Sequence, residues 1–371
     1  MFFNWVINKM QKKVNENSHG ILTSHEKTKL LQAWQVPPSL SPLTETDKKL
    51  LDEIKNRTFL LNKNNITRTQ AYLEIYLNHP ELHWAFLAHM VSRNAGWNMT
   101  DLKRHSLSGL MSFDRISVFF SFLEKGNHLI FKDAFPQLSL YAEGKKQNKD
   151  FTHLLGHFGV SSFMLPVWRL FLEQQQKNSG MLTVSLIINE QSLLERHVMN
   201  NPFYQQKVLD SLTFQLQERM GFTQILFPYH FRYDIEITGS TVDNFSSLPS
   251  RIEFGKELYR ILFSGKNVQV GAVNFGKATI HTGSRSDYMP EVFSTETGSL
   301  KVFSPHLEKA WPDYQHKSSL KVDDWFSFEK ATQLPSLYTL SGTEDTPDMK
   351  KKHLVNILQL SSLGEVHKMI T

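Results

Sequence analysis

A mainly α protein, built as a multi-helix bundle or array, is what this sequence predicts, and three observations carry the expectation. Apolar residues recur at three- and four-residue spacing through the first two-thirds of the 371-residue chain. Helix-starting and helix-stopping residues bracket those stretches. Aromatics make up 12% of the sequence, with 27 Phe among them, enough to fill a sizeable core.

The elements follow in order. Ser41-Pro42-Leu43-Thr44-Glu45 gives a helix start, and Leu50, Leu51, Ile54, Phe59 and Leu61 supply its apolar side. A mostly buried helix is expected over Thr67–Leu77. Pro80 suits the first turn of the next, which runs through ELHWAFLAHMVSRN and ends near Gly96. Phe113–Leu123, Leu129–Tyr141 and Phe151–Gln176 are helix-like, the last interrupted at Pro166. Leu182–Val198, Pro202–Met220 and Arg251–Phe263 complete the helical run, the second closing at Gly221 and the third stopping at Gly265. An irregular, Gly-punctuated segment is expected near 265–304, because Gly271, Gly276, Gly283 and Gly298 interrupt any periodicity. The domain organisation expected is an N-terminal segment 1–22, a single helical domain 23–341, and a linker and tail 342–371. No internal repeat is visible.

Composition excludes several function classes. The net charge of +5 is a small difference between 41 basic and 36 acidic residues. Its only tight runs are Lys12-Lys13, Lys145-Lys146 and Lys350-Lys351-Lys352, which argues against a nucleic-acid footprint. Cysteine is absent, so disulfides, Cys-ligated zinc, iron–sulfur clusters and thiol nucleophiles are excluded. The N-terminus reads MFFNWVINKMQKK, apolar first and basic after, the reverse of a secretion signal. No apolar run approaches the ~20 residues of a membrane span, so a cytoplasmic protein is expected. A weak surface contact through Phe2, Phe3, Trp5, Val6 and Met10 is the one membrane role left.

Motifs are few. Gly271–Lys277 matches the spacing of a phosphate-cradling loop, but Ala278 stands where the magnesium-binding hydroxyl belongs and no strong strand precedes it. G-x-S-x-G, G-x-G-x-x-G and H-E-x-x-H are missing. Asp323-Asp324 lacks the third acid of a diphosphate-binding cluster, and Asp243-Asn244 with Glu253 has the wrong spacing. His79 and His83, like His153 and His157, are four apart, the spacing that puts two imidazoles on one helical face. His89 or Glu81 is the nearest third ligand for the first pair; no metal site is assigned, and no cofactor is identified.

Two polar stretches remain. In His89–Asp101, capping explains Asn94, Gly96, Asn98, Thr100 and Asp101, and leaves Arg93 and Trp97 at what reads as a corner between helices. In His281–Pro290, one glycine is surrounded by nearly every kind of donor and acid–base group. The plainer reading of that segment is a surface turn whose Ser and Asp side chains bond their own backbone. HMVSRNAGWNMTDLK, IFKDAFPQLSLY, RIEFGKELYRILF and HTGSRSDYMPEVF together resemble the YppC-like family of bacterial proteins, a domain of unknown function. The likeness runs from about Ile66 to Phe293. It implies a bacterial cytosolic protein and supplies no activity, cofactor or catalytic residue.

Two function classes follow. In the first, the protein is an enzyme or binder of a small anionic ligand. Its pocket has His281 and Asp287 as acid–base groups, with Arg285, Tyr288, Arg93, Asn94 and Asp101 as ligand contacts. In the second, it is a non-catalytic interaction protein, or self-associates, through an aromatic surface at Trp311–Phe328.

Overall fold

The computed structural model describes residues 19–37, 39–103, 112–209, 224–316, 323–327, 329, 331–342 and 346–357. Among these, nine helices of ten or more residues dominate, and the fold is mainly α. They are α1 (Ser24–Ala33), α2 (Glu45–Leu61), α3 (Asn65–Asn78), α4 (His83–Asp101), α5 (Phe113–Gln147), α6 (Met164–Glu173), α7 (Ser179–Leu194), α8 (Leu248–Ser264) and α9 (Lys266–Ala278). The first three open on reciprocal capping boxes, Thr23 with Glu26, Thr44 with Asp47 and Asn64 with Thr67, which fix their starts.

α7 is the axis of the body. Every residue from Met181 to Asn189 is buried, so α7 has no polar face and packs on neighbours all round. It continues into a π turn, Glu195–Met199. α5 is one helix of 35 residues where two separate helices are expected. Pro136 lies inside it, and burial of Phe131, Ala134, Phe135 and Leu138 holds the helix through the missing N–H. α6 starts two residues before Pro166, which therefore sits in a first turn where no N–H is needed. Residues 202–209 are helical, and the rest of Pro202–Met220 lies outside the described residues, as does the apolar N-terminus around Trp5.

A β-hairpin joins the helices. β2 (Gln224–Phe231) pairs antiparallel with β3 (Asp234–Thr241), with Phe231 opposite Asp234 across a two-residue turn. Arg232 takes the left-handed conformation in that turn, at φ 56°. The irregular segment begins later than expected, at Thr279, because Gly271 and Gly276 lie within α9. Their role is close packing. A Cβ on Gly271 would lie 2.4 Å from the His230 carbonyl oxygen, so glycine lets α9 rest against β2. Gly271–Lys277 is thus a helix face, not a phosphate loop.

The paired histidines do not share helical faces. His79 is the C-cap of α3 and His83 opens α4. His153 and His157 lie in the 3₁₀ stretch Thr152–Phe158, where they contact Asp47 at 3.4 Å and the Ser41 carbonyl at 3.2 Å. The expected aromatic surface also turns inward. Trp311 is buried, stacked on Phe120, and Trp325 is buried with its indole N–H on Asn189 Oδ1. Phe328 lies outside the described residues. No described helix is long and apolar enough to cross a membrane.

Both ends of the described chain are tied down. His19–Gly20 pairs with Thr339–Leu340. Past Gly342, the Met349 N–H donates to the Ile237 carbonyl at 2.9 Å, and Met349, His353 and Ile357 are buried. Ending the chain after Gly342 should therefore lower the melting temperature by several degrees and expose apolar surface to a dye such as ANS. A truncated protein that melts with the full chain would show that residues 346–357 add nothing to the core.

Candidate functional site

From Trp84 to Asp101, α4 is buried at every residue except Ala88, Val91, Ala95 and Asn98. Those four are spaced three, four and three apart, so they form one stripe along one side of the helix. All four border a partly open cavity of about 300 Å³ lined by α3, α4, α5, α7, α8 and the hairpin. Ala88 and Ala95 line it together with Gly126 on α5 and Gly255 on α8, and Leu87, Phe122, Leu194 and Phe254 make most of the remaining wall apolar.

The opposite side of α4 is polar and sealed. His89 Nδ1 donates to the Thr69 carbonyl at 2.8 Å, and its Nε2 accepts from Arg93 Nε at 3.2 Å. Burial, and then the neighbouring guanidinium, pull the His89 pKa well down, so this imidazole is neutral. Arg93 donates to the carbonyls of Gly276 and Thr279 at the C-terminal end of α9 and lies over the Phe275 ring at 5.0 Å. Asn94 bonds both backbone groups of Leu226, its Nδ2 to the carbonyl at 2.7 Å and its Oδ1 from the N–H at 2.8 Å. It thereby holds β2 against the helix.

The two polar stretches of the sequence meet here. Arg285 donates through Nε to Asp101 Oδ2 at 2.8 Å, through Nη1 to Tyr288 Oη at 2.6 Å and through Nη2 to Asn98 Oδ1 at 3.0 Å. Burial alone would lower the Arg285 pKa, but Asp101 and Tyr288 outweigh it and raise it. Trp97 Nε1 donates to Asp287 Oδ2 at 3.3 Å, and Thr100 to the Gly283 carbonyl at 2.6 Å. His281 Nε2 donates to Asn65 Oδ1 at 2.8 Å, while its Nδ1 sits 3.4 Å from Asp287 Oδ2 without hydrogen-bond alignment. Burial would raise the Asp287 pKa; His281 and the two bonds from Thr282 bring it down, so Asp287 is ionised.

All seven residues singled out in the sequence thus belong to one interior network around α4. The expected corner at Gly96 is absent: α4 runs through it. A Cβ there would lie 2.4 Å from Asn65 Oδ1 and 2.6 Å from His281 Nε2, so glycine is needed for their hydrogen bond, not for a helix end. Of the seven, only Asp101 borders the cavity. Arg93 and Arg285 do not; Arg285 is engaged with Asp101, Tyr288 and Asn98, and Arg93 with two carbonyls and His89, its buried Nη1 having no hydrogen-bond partner.

Sequence reasoning missed the polar groups that do border the cavity. Arg68 on α3 pairs with Glu124 at 2.5 Å, leaving its buried Nε without a partner. Tyr72 is 3% exposed, and its hydroxyl makes no hydrogen bond among the described residues. Glu190 on α7 accepts from Trp84 Nε1 and Gln191 Nε2, both at 3.2 Å, and has no cationic partner among the described residues. Burial is the main cause that pushes its carboxyl up to about 8; the two donors oppose the shift and Asp133 adds to it. One signal could have pointed to Glu190. It is the only acidic residue in the otherwise apolar or uncharged stretch Met181–Leu194.

Two outcomes test this geometry. Gly96→Ala gains about 1 kcal/mol of helix propensity, but the new methyl must separate Asn65 from His281. A net loss of about 1–3 kcal/mol is expected from the denaturation midpoint; a stabilised variant would place the contact elsewhere. The second concerns pH. Between the ordinary Glu value of 4.5 and the folded value near 8, the folded state keeps a proton that the unfolded chain has released. Glu190 therefore makes stability fall as pH rises through that window, by at most about 1.4 kcal/mol per pH unit. The stability of Glu190→Gln relative to the native protein should rise between about pH 5 and 8, and a constant difference would mean that Glu190 ionises normally.

A family profile described as "Protein of unknown function (DUF2515)" matches residues 60–355. The chain is also 36% identical over 300 residues to "Uncharacterized protein YppC" of Bacillus subtilis (strain 168), covering 79% of this chain and 90% of that protein. No solved structure matches. On a match spanning most of its length, this chain belongs to the DUF2515 family.

Proposed function

We propose that this protein binds a small, largely apolar organic molecule carrying one polar group, held in the cavity between α4, α5, α7 and α8. The observation that carries the reading is a cavity of about 300 Å³ inside the helical body, apolar over most of its wall. Magnitudes support an occupant. An apolar cavity of about half that volume is enough to hold benzene. The polar groups on the wall are few and separate, which suits one polar group on the ligand. A cytoplasmic location goes with this proposal, since a chain without cysteine draws nothing from an oxidising compartment.

The experiment fills the space. Ala95→Phe projects a ring from the central stripe of α4 into the cavity. It should abolish binding of small apolar probes such as indole, measured by thermal shift, while leaving the variant folded and more stable by about 1 kcal/mol or more. Native mass spectrometry of the unaltered protein should show a mass excess that Ala95→Phe lacks. If neither a retained molecule nor a probe-dependent shift is found in the unaltered protein, the binding reading fails.

A further inference from the structure

We infer that the cavity selects amines: an aromatic or aliphatic amine seats its ammonium group between the Glu190 carboxylate, the Tyr72 hydroxyl and the faces of Tyr72 and Trp84. This rests on the proposed binding role and names the ligand class.

Three elements deliver the groups, Tyr72 from α3, Trp84 from α4 and Glu190 from α7, and all three border the cavity. The Tyr72 and Trp84 rings meet edge to face with centroids 5.5 Å apart, and Trp84 turns its N–H edge to the carboxyl. Both residues border the cavity, where an aromatic face attracts a cation through the ring quadrupole. Tyr72 borders the cavity and its hydroxyl makes no hydrogen bond among the described residues, so it is open to an N–H of the ligand. Glu190 is bonded only by neutral donors, Trp84 and Gln191. The nearest arginine in that chain, Arg251, bonds Gln191 Oε1 at 3.1 Å and Glu195 at 2.5 Å, and stops short of Glu190. Of the two acids on the described wall, Asp101 already holds Arg285 and Glu190 holds no cation.

The competing class is an anion, drawn by the free Nε of Arg68. Charge decides against it. The Arg68 guanidinium is neutralised by Glu124, whose other oxygen accepts from His316 at 3.1 Å, whereas nothing neutralises Glu190. An anion would bring an uncompensated charge into an apolar space, whereas an amine can take the Glu190 proton and be paired by the carboxylate it leaves. The proton count also closes. Gln191, Trp84 and Asp133 act on Glu190, and Glu190, Arg68 and Asp133 act on Tyr72. In their presence Glu190 is largely protonated at neutral pH in the empty cavity. A neutral amine that enters takes that proton on its nitrogen, and the ion pair forms inside with no net charge imported.

Three probes of one shape separate the outcomes: 2-phenylethylamine, 2-phenylethanol and 3-phenylpropanoate, titrated calorimetrically into the full chain. The amine should bind at least tenfold more tightly than the alcohol. Glu190→Gln should collapse that ratio to near one without weakening the alcohol. Tyr72→Phe, which removes only the hydroxyl, should reduce the ratio severalfold and serves if Glu190→Gln does not fold. Alcohol and amine binding equally, or a ratio that survives both substitutions, overturns the amine inference and leaves the cavity role standing. Tightest binding of the carboxylate overturns it in favour of Arg68. Binding of none of the three removes both readings together.

Discussion

The enclosure of α4 is the constraint on which the rest of this structure depends. A helix surrounded by protein must find partners inside the protein for every polar side chain it carries. Six of its buried residues are polar, His89, Ser92, Arg93, Asn94, Thr100 and Asp101. Their partners come from α3, the β2 backbone, the end of α9 and the loop after Thr279. Each bond therefore ties α4 to a different part of the chain. Removing one partner of the Asp101–Arg285 pair would leave a buried charge uncompensated, at a cost of about 3–5 kcal/mol. The network acts as a set of fixed spacers around a rigid central rod.

The cavity is a consequence of that rigidity. Gly255 lets α8 close on α7, where a Cβ would lie 2.8 Å from Ile187, as Gly271 does between α9 and β2. α4 is anchored from its far side and α7 is packed all round, which fixes both beside the cavity. Small residues on the near side then leave space in place of contact. The polar network on one face of α4 and the apolar cavity on the other are two results of one arrangement.

How much of this was legible follows from range. Helices set by local periodicity and capping, such as α2 and α3, could be read directly, because the signals lie within a few residues of each other. The hairpin could not. Pro228 interrupts its first strand and its turn is Arg232-Tyr233, with none of the Asn-Gly chemistry that marks a two-residue turn. Glycines misled twice. Gly96 and Gly276 look like stops, yet each serves contacts with residues distant in sequence, Asn65 and His281 in one case and His89 in the other. The dense polar segment at 281–288 was visible, but polar residues that satisfy one another inside a protein have the same composition as those that await a ligand. The cavity was invisible because it is built from what is missing: alanine and glycine on helices far apart in the chain.

Glu190 shows why the cavity is more than loose packing. Glutamine at that position would keep one acceptor oxygen for either Trp84 Nε1 or Gln191 Nε2, which bond different oxygens of Glu190, and would carry no ionisable group into an apolar space. Leucine would fill more of it. Either substitute would avoid the desolvation that drives the carboxyl up to about 8. A carboxyl adds one property that neither possesses, a proton it can give up when a compensating charge arrives. With Asp133 discouraging ionisation in the empty state and no described cation within reach, that exchange is tied to what enters the cavity. The same low-dielectric surroundings that make Glu190 costly while alone strengthen its pairing once a cation is beside it.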